Sequence, residues 1–233
     1  AIHRIAARLD NQIELVAGCF SSKAERSKAM AAELGISAAR CYDSYQQLFA
    51  AEALLPPEQR IEFVTIVTPN HLHFPVAKAA LQAGFHVLSD KPATLSLDEA
   101  LQLQALVQQT GLHYGLTHTY AAYPMVLQAR LLVQQGHLGT VRRVAVSYPQ
   151  GWLANKADSD GSAQAQWRLD PARSGVSGCF ADIGTHAFQL AEFISALEVT
   201  ELCADLVTVI DGRQLDDDGS ALLRFSNGAR GTL

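Results

Sequence analysis

The sequence lacks the long apolar runs and the basic stripes that mark two large classes of protein. No apolar run approaches the roughly twenty residues of a membrane-spanning helix, and residues 1–5 lack the charged and apolar regions of a signal peptide. The net charge is −5, and no cluster of Lys and Arg is present that would follow a phosphate backbone. These absences argue against a membrane and a nucleic-acid partner and predict a soluble, cytoplasmic protein.

Cysteine is also scarce. The four cysteines lie far apart and have neither the paired spacing of a metal site nor the density of a disulfide scaffold: Cys19, Cys41, Cys179 and Cys203. We expect reduced thiols, mostly in the core.

His71 and His73 have no third ligand nearby at zinc spacing, so the sequence predicts no metal site.

The order of apolar segments predicts two domains. In residues 1–118, strand patterns at 13–20, 40–42, 61–67, 85–89 and 113–118 alternate with helix patterns, and capping boxes stand at 22–25 and 44–47. This alternation predicts a Rossmann-type, doubly wound parallel sheet in an α/β fold. Residues 119–233 instead predict an α+β domain with a mostly antiparallel sheet.

The first strand of a doubly wound sheet and its glycine turn are also lacking. Residues 2–9 have the apolar spacing of a helix, so the pattern begins on the helix that should follow that strand. Without a central strand, its neighbours would leave buried backbone groups unpaired at about 1–3 kcal/mol each. We therefore expect a longer polypeptide, truncated at 231–233 as well.

Two short strings carry ionisable groups. Asp90-Lys91-Pro92 follows the predicted strand at 85–89, which places Lys91 at the sheet edge where α/β proteins bind ligands. Asp182 and His186 lie one turn apart at the start of a predicted helix. Three simpler interpretations remain open: a solvated lysine, an aspartate that caps its helix, and a core histidine that faces Phe180 and Leu190.

These strings belong to a longer series of motifs: Thr68-Pro69-Asn70-His71-Leu72-His73, Asp90-Lys91-Pro92, Trp167-Arg168 and Asp182-x-Gly184-x-His186. The series spans nearly the whole chain and resembles that of the Gfo/Idh/MocA oxidoreductases. The resemblance implies an NAD(P)-dependent enzyme that interconverts a hydroxyl and a carbonyl on sugars, cyclitols or related polyols. It also implies a homo-oligomer, a dimer or a tetramer.

Oxidation of a secondary alcohol requires loss of the hydroxyl proton while hydride leaves the carbon. An imidazole takes and returns protons near neutrality, so His186 is the candidate base. The ammonium of Lys91 would stabilise the alkoxide, and Asp182 would orient the imidazole or bind a substrate hydroxyl. The resemblance implies the same three catalytic residues.

Eight positions form the predicted cofactor site: Ser21, Ser22, Thr68, Pro69, Asn70, His73, Asp90 and Lys91. Residues 68–73 join a strand end to a helix start, where backbone N–H groups favour ribose or phosphate oxygens. Asp90 stands where the family more often has glutamate. No carboxylate near Ser21 would repel a 2′-phosphate, which slightly favours NADP over NAD, unless both serines serve only as caps.

Four residues form the predicted substrate site: His118, Tyr120, Trp167 and Arg168. Aromatic faces and multidentate donors suit a polyhydroxylated ring, although Trp167 fits the core equally well. The polar stretch at 151–178, with Asn155 and Lys156, is a lid or a simple connection. A non-catalytic sensor of dinucleotides or sugars on the same fold is the alternative function.

Overall fold

The computed structural model describes residues 2–154 and 162–233, which form two compact units. The first unit contains residues 2–66, Pro75–Leu88 and Leu103–Tyr114. The described residues of Val67–Phe74, Ser89–Gln102 and Gly115–Leu233 form the second. Because the units interleave along the chain, they do not test a domain boundary at residue 118, which stays a prediction.

Residues 63–116 contain a three-stranded parallel sheet with strand order β1-β2-β3. The strands of this sheet are β1 (Phe63–Ile66), β2 (His86–Ser89) and β3 (Tyr114–Leu116). The helices from the start of the chain to β3 are α1 (Ile2–Arg8), α2 (Ala24–Glu33), α3 (Tyr45–Glu52), α4 (His73–Gln82) and α5 (Leu97–Thr110). The predicted Rossmann-like alternation of strand and helix is confirmed.

Two predicted strands are wrong. Within residues 13–20 only Gly18 pairs with another strand-like residue, Cys41, in a single parallel bridge. Ile13 and Leu15 are each 42% exposed, because the described chain places no sheet partner along this segment. A short 3₁₀ turn at Ala38–Arg40 takes up the first residue of the second predicted strand, in which only Cys41 is bridged.

The four cysteines are free, but the expectation that most lie in the core is wrong. Cys203 is exposed, and Cys19, Cys41 and Cys179 are only partly buried. Cys203 lies in the strand Val199–Val207, whose residues are almost all exposed, and Cys41 forms only an isolated bridge with Gly18. Apolar character alone does not decide burial for so small a side chain.

One predicted capping box is confirmed and one is wrong. The Ser44 hydroxyl accepts from the Gln47 backbone N–H at 3.2 Å and begins α3. At the start of α2, Lys23 is the N-cap residue and makes no side-chain capping bond. The Ser21 hydroxyl accepts from the Lys23 N–H at 3.1 Å, so this serine stabilises the turn before the helix.

A buried ion pair ties the end of α3 to segments before and after it. The Glu52 side chain is fully buried and accepts from Arg40 Nε at 3.0 Å and Nη2 at 2.5 Å. The Tyr42 hydroxyl and the Ile61 N–H also donate to it, at 2.9 and 3.0 Å. Removing one partner would leave an uncompensated buried charge, which costs about 3–5 kcal/mol.

The second unit contains a four-stranded sheet with strand order β4-β7-β6-β5. Its strands are β4 (Arg143–Ala145), β5 (Val199–Val207), β6 (Asp218–Phe225) and β7 (Arg230–Thr232). Strand β6 pairs antiparallel with β5 and with β7, and only β4 and β7 are parallel. The predicted, mostly antiparallel sheet is confirmed. The other helices of this unit are α6 (Pro124–Gln134), α7 (Ala163–Arg168), α8 (Pro171–Ser174) and α9 (Thr185–Ser195).

One face of this sheet packs against α9. Ala221, Leu223 and Phe225 alternate along β6 and are buried, whereas the residues between them are exposed. They form a core cluster with Ala191 of α9. Burial of a large apolar side chain contributes about 1.5–3 kcal/mol, so the sheet holds α9 firmly in place.

Among the described residues, no helix is both long and apolar enough to span a membrane.

Candidate active site

A cavity of about 260 Å³ lies within the second unit. It is lined from five segments of the chain by Lys91, Tyr120, Tyr148, Gln150, Trp152, Gln164, Arg168, Asp182, Ile183 and His186. The structure therefore brings together the lysine, aspartate and histidine of the two sequence strings, which are separated by about ninety residues along the chain. Their catalytic roles remain predictions.

Lys91 reaches the cavity from the carboxyl end of β2. The strand ends at Ser89, and the Lys91–Pro92 peptide bond is cis. Its Nζ donates to Asp182 Oδ1 at 2.5 Å and also to the Asp182 backbone oxygen. The side chains of Lys91 and Asp182 are 17% and 26% exposed, so this ion pair is only partly screened by water.

Asp182 does not cap its helix. It lies inside a π-helical turn, Phe180–Gly184, which continues directly into α9. Its second carboxylate oxygen lies 3.4 Å from Arg168 Nε. One carboxylate is thus shared by two cations, and π-helical turns of this kind are frequent at functional sites.

Asp216 holds this π-helical turn in place. Its carboxylate accepts from the N–H groups of Gly178 at 2.7 Å and Phe180 at 3.0 Å and from the Cys179 thiol at 3.2 Å. Burial raises the pKa of Asp216, but the bonds from these N–H groups outweigh it and leave the pKa below its usual value. Burial and the neighbouring carboxylate raise the pKa of Cys179 to about 12.

His186 lies on the first turn of α9 and is 7% exposed. Burial, followed by the charges of Lys91 and His118, lowers its pKa to about 4, against the opposing effect of Asp182. Within the described part of the chain, its Nδ1 has no hydrogen-bond partner. The ring is therefore neutral at pH 7 and has an unengaged nitrogen.

Aromatic rings surround His186. The Tyr120 ring centroid lies 4.7 Å from that of His186, and the His118 ring lies 5.8 Å away with its edge towards it. The Tyr120 hydroxyl is hydrogen-bonded to that of Tyr148, which raises the pKa of Tyr120 to about 12. Tyr120 is therefore protonated at neutral pH. Burial and then the charge of Lys91 lower the pKa of His118.

The predicted substrate residues occupy different places. Tyr120 and Arg168 line the cavity, whereas His118 and Trp167 are not among the lining residues. His118 instead contacts the His186 ring. The Arg168 guanidinium lies 4.3 Å from the Trp167 ring centroid and 5.5 Å from that of Trp152, so cation–π contacts hold it beside the cavity.

Sequence reasoning missed five lining residues: Tyr148, Gln150, Trp152, Gln164 and Ile183. The first three form a hydrogen-bonded row, in which Gln150 Nε2 donates to the Tyr148 hydroxyl at 3.0 Å and Trp152 Nε1 donates to Gln150 Oε1 at 3.2 Å. Every second residue of 148–152 thus faces the cavity. This period of two was the available signal, because alternate residues of an extended segment share a face.

The predicted cofactor residues at 68–70 lie just beyond β1. Thr68 Oγ1 is buried and has no hydrogen-bond partner among the described residues. Pro69 is the N-cap residue of the short 3₁₀ turn Asn70–Leu72. The Asn70 side-chain amide donates to the Ser174 carbonyl at 3.1 Å, so it positions this turn against α8.

The other predicted cofactor residues have partners or are exposed. Asp90 Oδ1 accepts from the Thr117 hydroxyl at 2.8 Å. His73 is buried between two backbone carbonyls. Ser21 and Ser22 belong to the first unit, where Ser22 is exposed.

Asn155 and Lys156 of the predicted loop lie outside the described residues. No group of three metal-binding side chains is found in 2–154 and 162–233.

Two family models match the chain. The model described as "Oxidoreductase family, NAD-binding Rossmann fold" matches residues 2–118, and that of the "GFO/IDH/MocA C-terminal domain" matches residues 126–233.

Individual relatives agree with these matches. The uncharacterized oxidoreductase YfiI of Bacillus subtilis (strain 168) is 37% identical over 99% of this chain and 59% of its own length. A levoglucosan dehydrogenase of Pseudarthrobacter phenanthrenivorans is 30% identical over 74% of this chain and 48% of its own. The crystal structure of an inositol dehydrogenase homologue from Azotobacter vinelandii with NAD⁺ is similar at a TM-score of 0.95 and 33% identity, covering 99% of this chain and 59% of that one. The chain spans less than two thirds of the length of these relatives.

Proposed function

We propose, because this chain belongs to the Gfo/Idh/MocA oxidoreductase family, that it transfers a hydride between a nicotinamide dinucleotide and a CH–OH group of a sugar, cyclitol or related polyol. One observation carries the proposal. Lys91, Asp182 and His186 line a single cavity, where an ammonium, a carboxylate and a neutral imidazole lie within reach of one small molecule.

His186 is the proposed base for alcohol oxidation. Its low pKa keeps the imidazole neutral at pH 7, so the ring is able to accept the hydroxyl proton. In the reverse direction the same nitrogen returns that proton to the oxygen. The nicotinamide, when bound, supplies or accepts the hydride.

Lys91 compensates for the weak basicity of this imidazole. The ionic groups that line the cavity are two cations, Lys91 and Arg168, and one carboxylate, Asp182. With His186 neutral, these described groups carry a net charge of +1, which an alkoxide would balance. An ammonium fixed in a partly buried site stabilises such a developing charge more strongly than water does.

Asp182 holds both cations in place. Its two oxygens contact Lys91 Nζ and Arg168 Nε separately, so the carboxylate determines how far apart the two positive groups stand. We propose that it orients Lys91 for the reacting oxygen and that Arg168 binds a neighbouring hydroxyl. This role differs from that of an aspartate that only caps its helix.

The rest of the lining supports a polyol as substrate. Tyr120 and Trp152 present aromatic surfaces, and Gln150 and Gln164 add amide donors and acceptors. Apolar ring faces combined with a few polar groups are typical of pockets for small polar ligands. A volume of about 260 Å³ suits one sugar or cyclitol ring better than an extended oligosaccharide.

The segment beyond β1 fits the dinucleotide. The buried, unpartnered Thr68 hydroxyl is a donor and acceptor that a ribose hydroxyl would satisfy, and burying such a group unpaired is otherwise costly. We propose that Thr68, Pro69 and Asn70, together with Asp90 and Lys91, hold the nicotinamide end of the cofactor. Asn70 does so by shaping the turn, because its amide is engaged with Ser174.

We expect the protein to bind NADPH at least as tightly as NADH. Residues 20–22 contain no carboxylate to repel a 2′-phosphate, and the exposed Ser22 makes no capping bond to α2. Fluorescence titration gives the two dissociation constants. The control is Glu58→Gln, a charge change at an exposed turn away from residues 20–22. A Kd for NADH tenfold below that for NADPH would refute this preference but leave the hydride-transfer proposal intact.

Absorbance at 340 nm tests the activity itself. The protein is screened with polyols, cyclitols and sugars plus NAD⁺ or NADP⁺, and with keto-sugars plus the reduced cofactors. We expect stereospecific turnover on at least one cyclic polyol. Tight dinucleotide binding without turnover on a broad panel would favour the non-catalytic sensor instead.

We also propose that the protein forms a homo-oligomer, a dimer or a tetramer. Light scattering measures the molar mass that distinguishes these states.

A further inference from the structure

His73 occupies an unusual position between two backbone carbonyl groups. Its Nδ1 lies 2.6 Å from the Pro92 oxygen, and its Nε2 lies 2.8 Å from the Thr68 oxygen. The residue is only 1% exposed, so water does not share these contacts. Both ring nitrogens are therefore within hydrogen-bond distance of a group that accepts hydrogen bonds and never donates them.

This geometry lets the ring connect two backbone segments. An imidazole carries at least one ring N–H, so the ring donates to at least one of the two carbonyl oxygens and packs against the other. Because the ring is buried, replacing it would leave a buried carbonyl oxygen without this partner.

The two carbonyls belong to the two loops that the proposed function uses. Thr68 lies at the start of the turn that follows β1, and the Thr68 hydroxyl is proposed to contact the cofactor. Pro92 directly follows Lys91, the proposed alkoxide-stabilising residue. The His73 ring thus contacts the loop that follows β1 and the loop that follows β2.

The segments around His73 contain other ionisable side chains. Asp90 and Lys91 lie in the loop that His73 contacts, and both have the partners described above. His71 is on the turn that precedes α4, and Arg173 is on α8, which packs against that turn. None of these side chains supplies a hydrogen bond to the His73 ring.

We propose that His73 is a positioning residue whose ring, held between the Thr68 and Pro92 carbonyls, fixes the Thr68 turn and the Lys91 loop relative to each other. It does not touch the reacting atoms. Through Thr68 it maintains the cofactor turn, and through Pro92 it maintains the position of the Lys91 backbone. Its effect on catalysis rests on the proposed function, whereas its contacts with the two carbonyls do not.

Nuclear magnetic resonance of the protein labelled with ¹⁵N-histidine tests these contacts directly. We expect a ring N–H of His73 that exchanges slowly with water, because the ring is buried and held on the two carbonyls. The signal is assigned by its loss in His73→Gln and, independently, in His73→Phe. A ring N–H that exchanges as fast as that of the exposed His137 would overturn the proposal, whether or not a substrate is known.

Kinetics of the same variants test the positioning role. Glutamine retains one N–H donor group, whereas phenylalanine retains the ring shape without any donor. We expect kcat to fall about tenfold in His73→Gln and about a hundredfold in His73→Phe, with NADPH binding weakened several-fold in both. His137→Gln is the matched control, because His137 is exposed and lies outside the proposed machinery, and it should retain wild-type kcat and Kd. A lowered melting temperature with unchanged kcat and Kd in the folded variants would reduce His73 to a structural residue.

Discussion

We expect His186→Ala to lower kcat for the proposed alcohol oxidation by at least about a hundredfold, while the dinucleotide still binds within about twofold of the wild-type Kd. The physical reason is the loss of the group that accepts the hydroxyl proton, and a positioned base contributes about 10²–10⁴ to a rate. Removal of the imidazole leaves water or a tyrosine to take this proton. Tyr120 does so poorly, because its pKa of about 12 makes the tyrosinate rare at neutral pH.

The pH dependence of the wild-type enzyme distinguishes this role. An unperturbed histidine would lose its basic form below about pH 6.5. Burial, then the charge of Lys91 and that of His118 when it is protonated, lower the pKa of His186 to about 4, so the acid limb of kcat/KM that this residue causes lies near pH 4 to 5. The matched control is His137→Ala, since His137 is exposed and lies outside the cavity. If His186→Ala kept more than a tenth of the wild-type kcat, the residue would not be the base.

We expect Lys91→Ala to lower kcat by at least about a hundredfold as well, because the alkoxide would lose the ammonium that balances its charge. Electrostatic stabilisation of this kind is worth about 10²–10³ in kcat when one donor is removed. Asp182 keeps its contact with Arg168, and both side chains are about one quarter exposed, so the variant is expected to fold. Steady-state kinetics and fluorescence titration with NADPH give the two readouts.

A second readout of the same variant is independent of turnover. The charge of Lys91 is the second-largest cause of the lowered pKa of His186, after burial. In Lys91→Ala we therefore expect this pKa to rise towards its ordinary value, which a titration of the His186 ring by nuclear magnetic resonance measures. Lys28→Ala removes an exposed lysine of α2 and should change neither kcat nor this pKa. An unchanged pKa in Lys91→Ala would show that the two groups are not electrostatically coupled.

The sequence predicted the strand ends and helix starts well wherever local signals were strong. Regular apolar runs bounded by glycine, proline or caps identified β1, β2 and α4, and thereby placed Lys91 at the carboxyl edge of the sheet. Asp182 and His186 were recognised by their spacing. The strand predicted at 13–20 failed for the opposite reason. Its apolar run is strong, but a strand forms only where a neighbour supplies hydrogen-bond partners.

The parts that sequence reasoning missed are those that depend on distant contacts. Asp216 lies about thirty residues beyond the π-helical turn that it holds, and nothing in its own neighbourhood indicates this role. Tyr148 and Gln150 were overlooked because their alternation is short, although it is present in the sequence. The sequence predicts a cofactor contact for His73, but in the structure its two ring nitrogens contact backbone carbonyl oxygens of the protein.

The order of residues was sufficient to show which elements form, which family the chain belongs to and which ionisable groups stand at strand ends, because periodicity, caps and motif spacing are local properties. Folding in three dimensions settled the rest. It paired Lys91 with Asp182, depressed the pKa of His186 by burial and enclosed His73 between two carbonyls. Each of these depends on distances between groups far apart along the chain, and electrostatic and hydrogen-bond energies vary steeply with such distances.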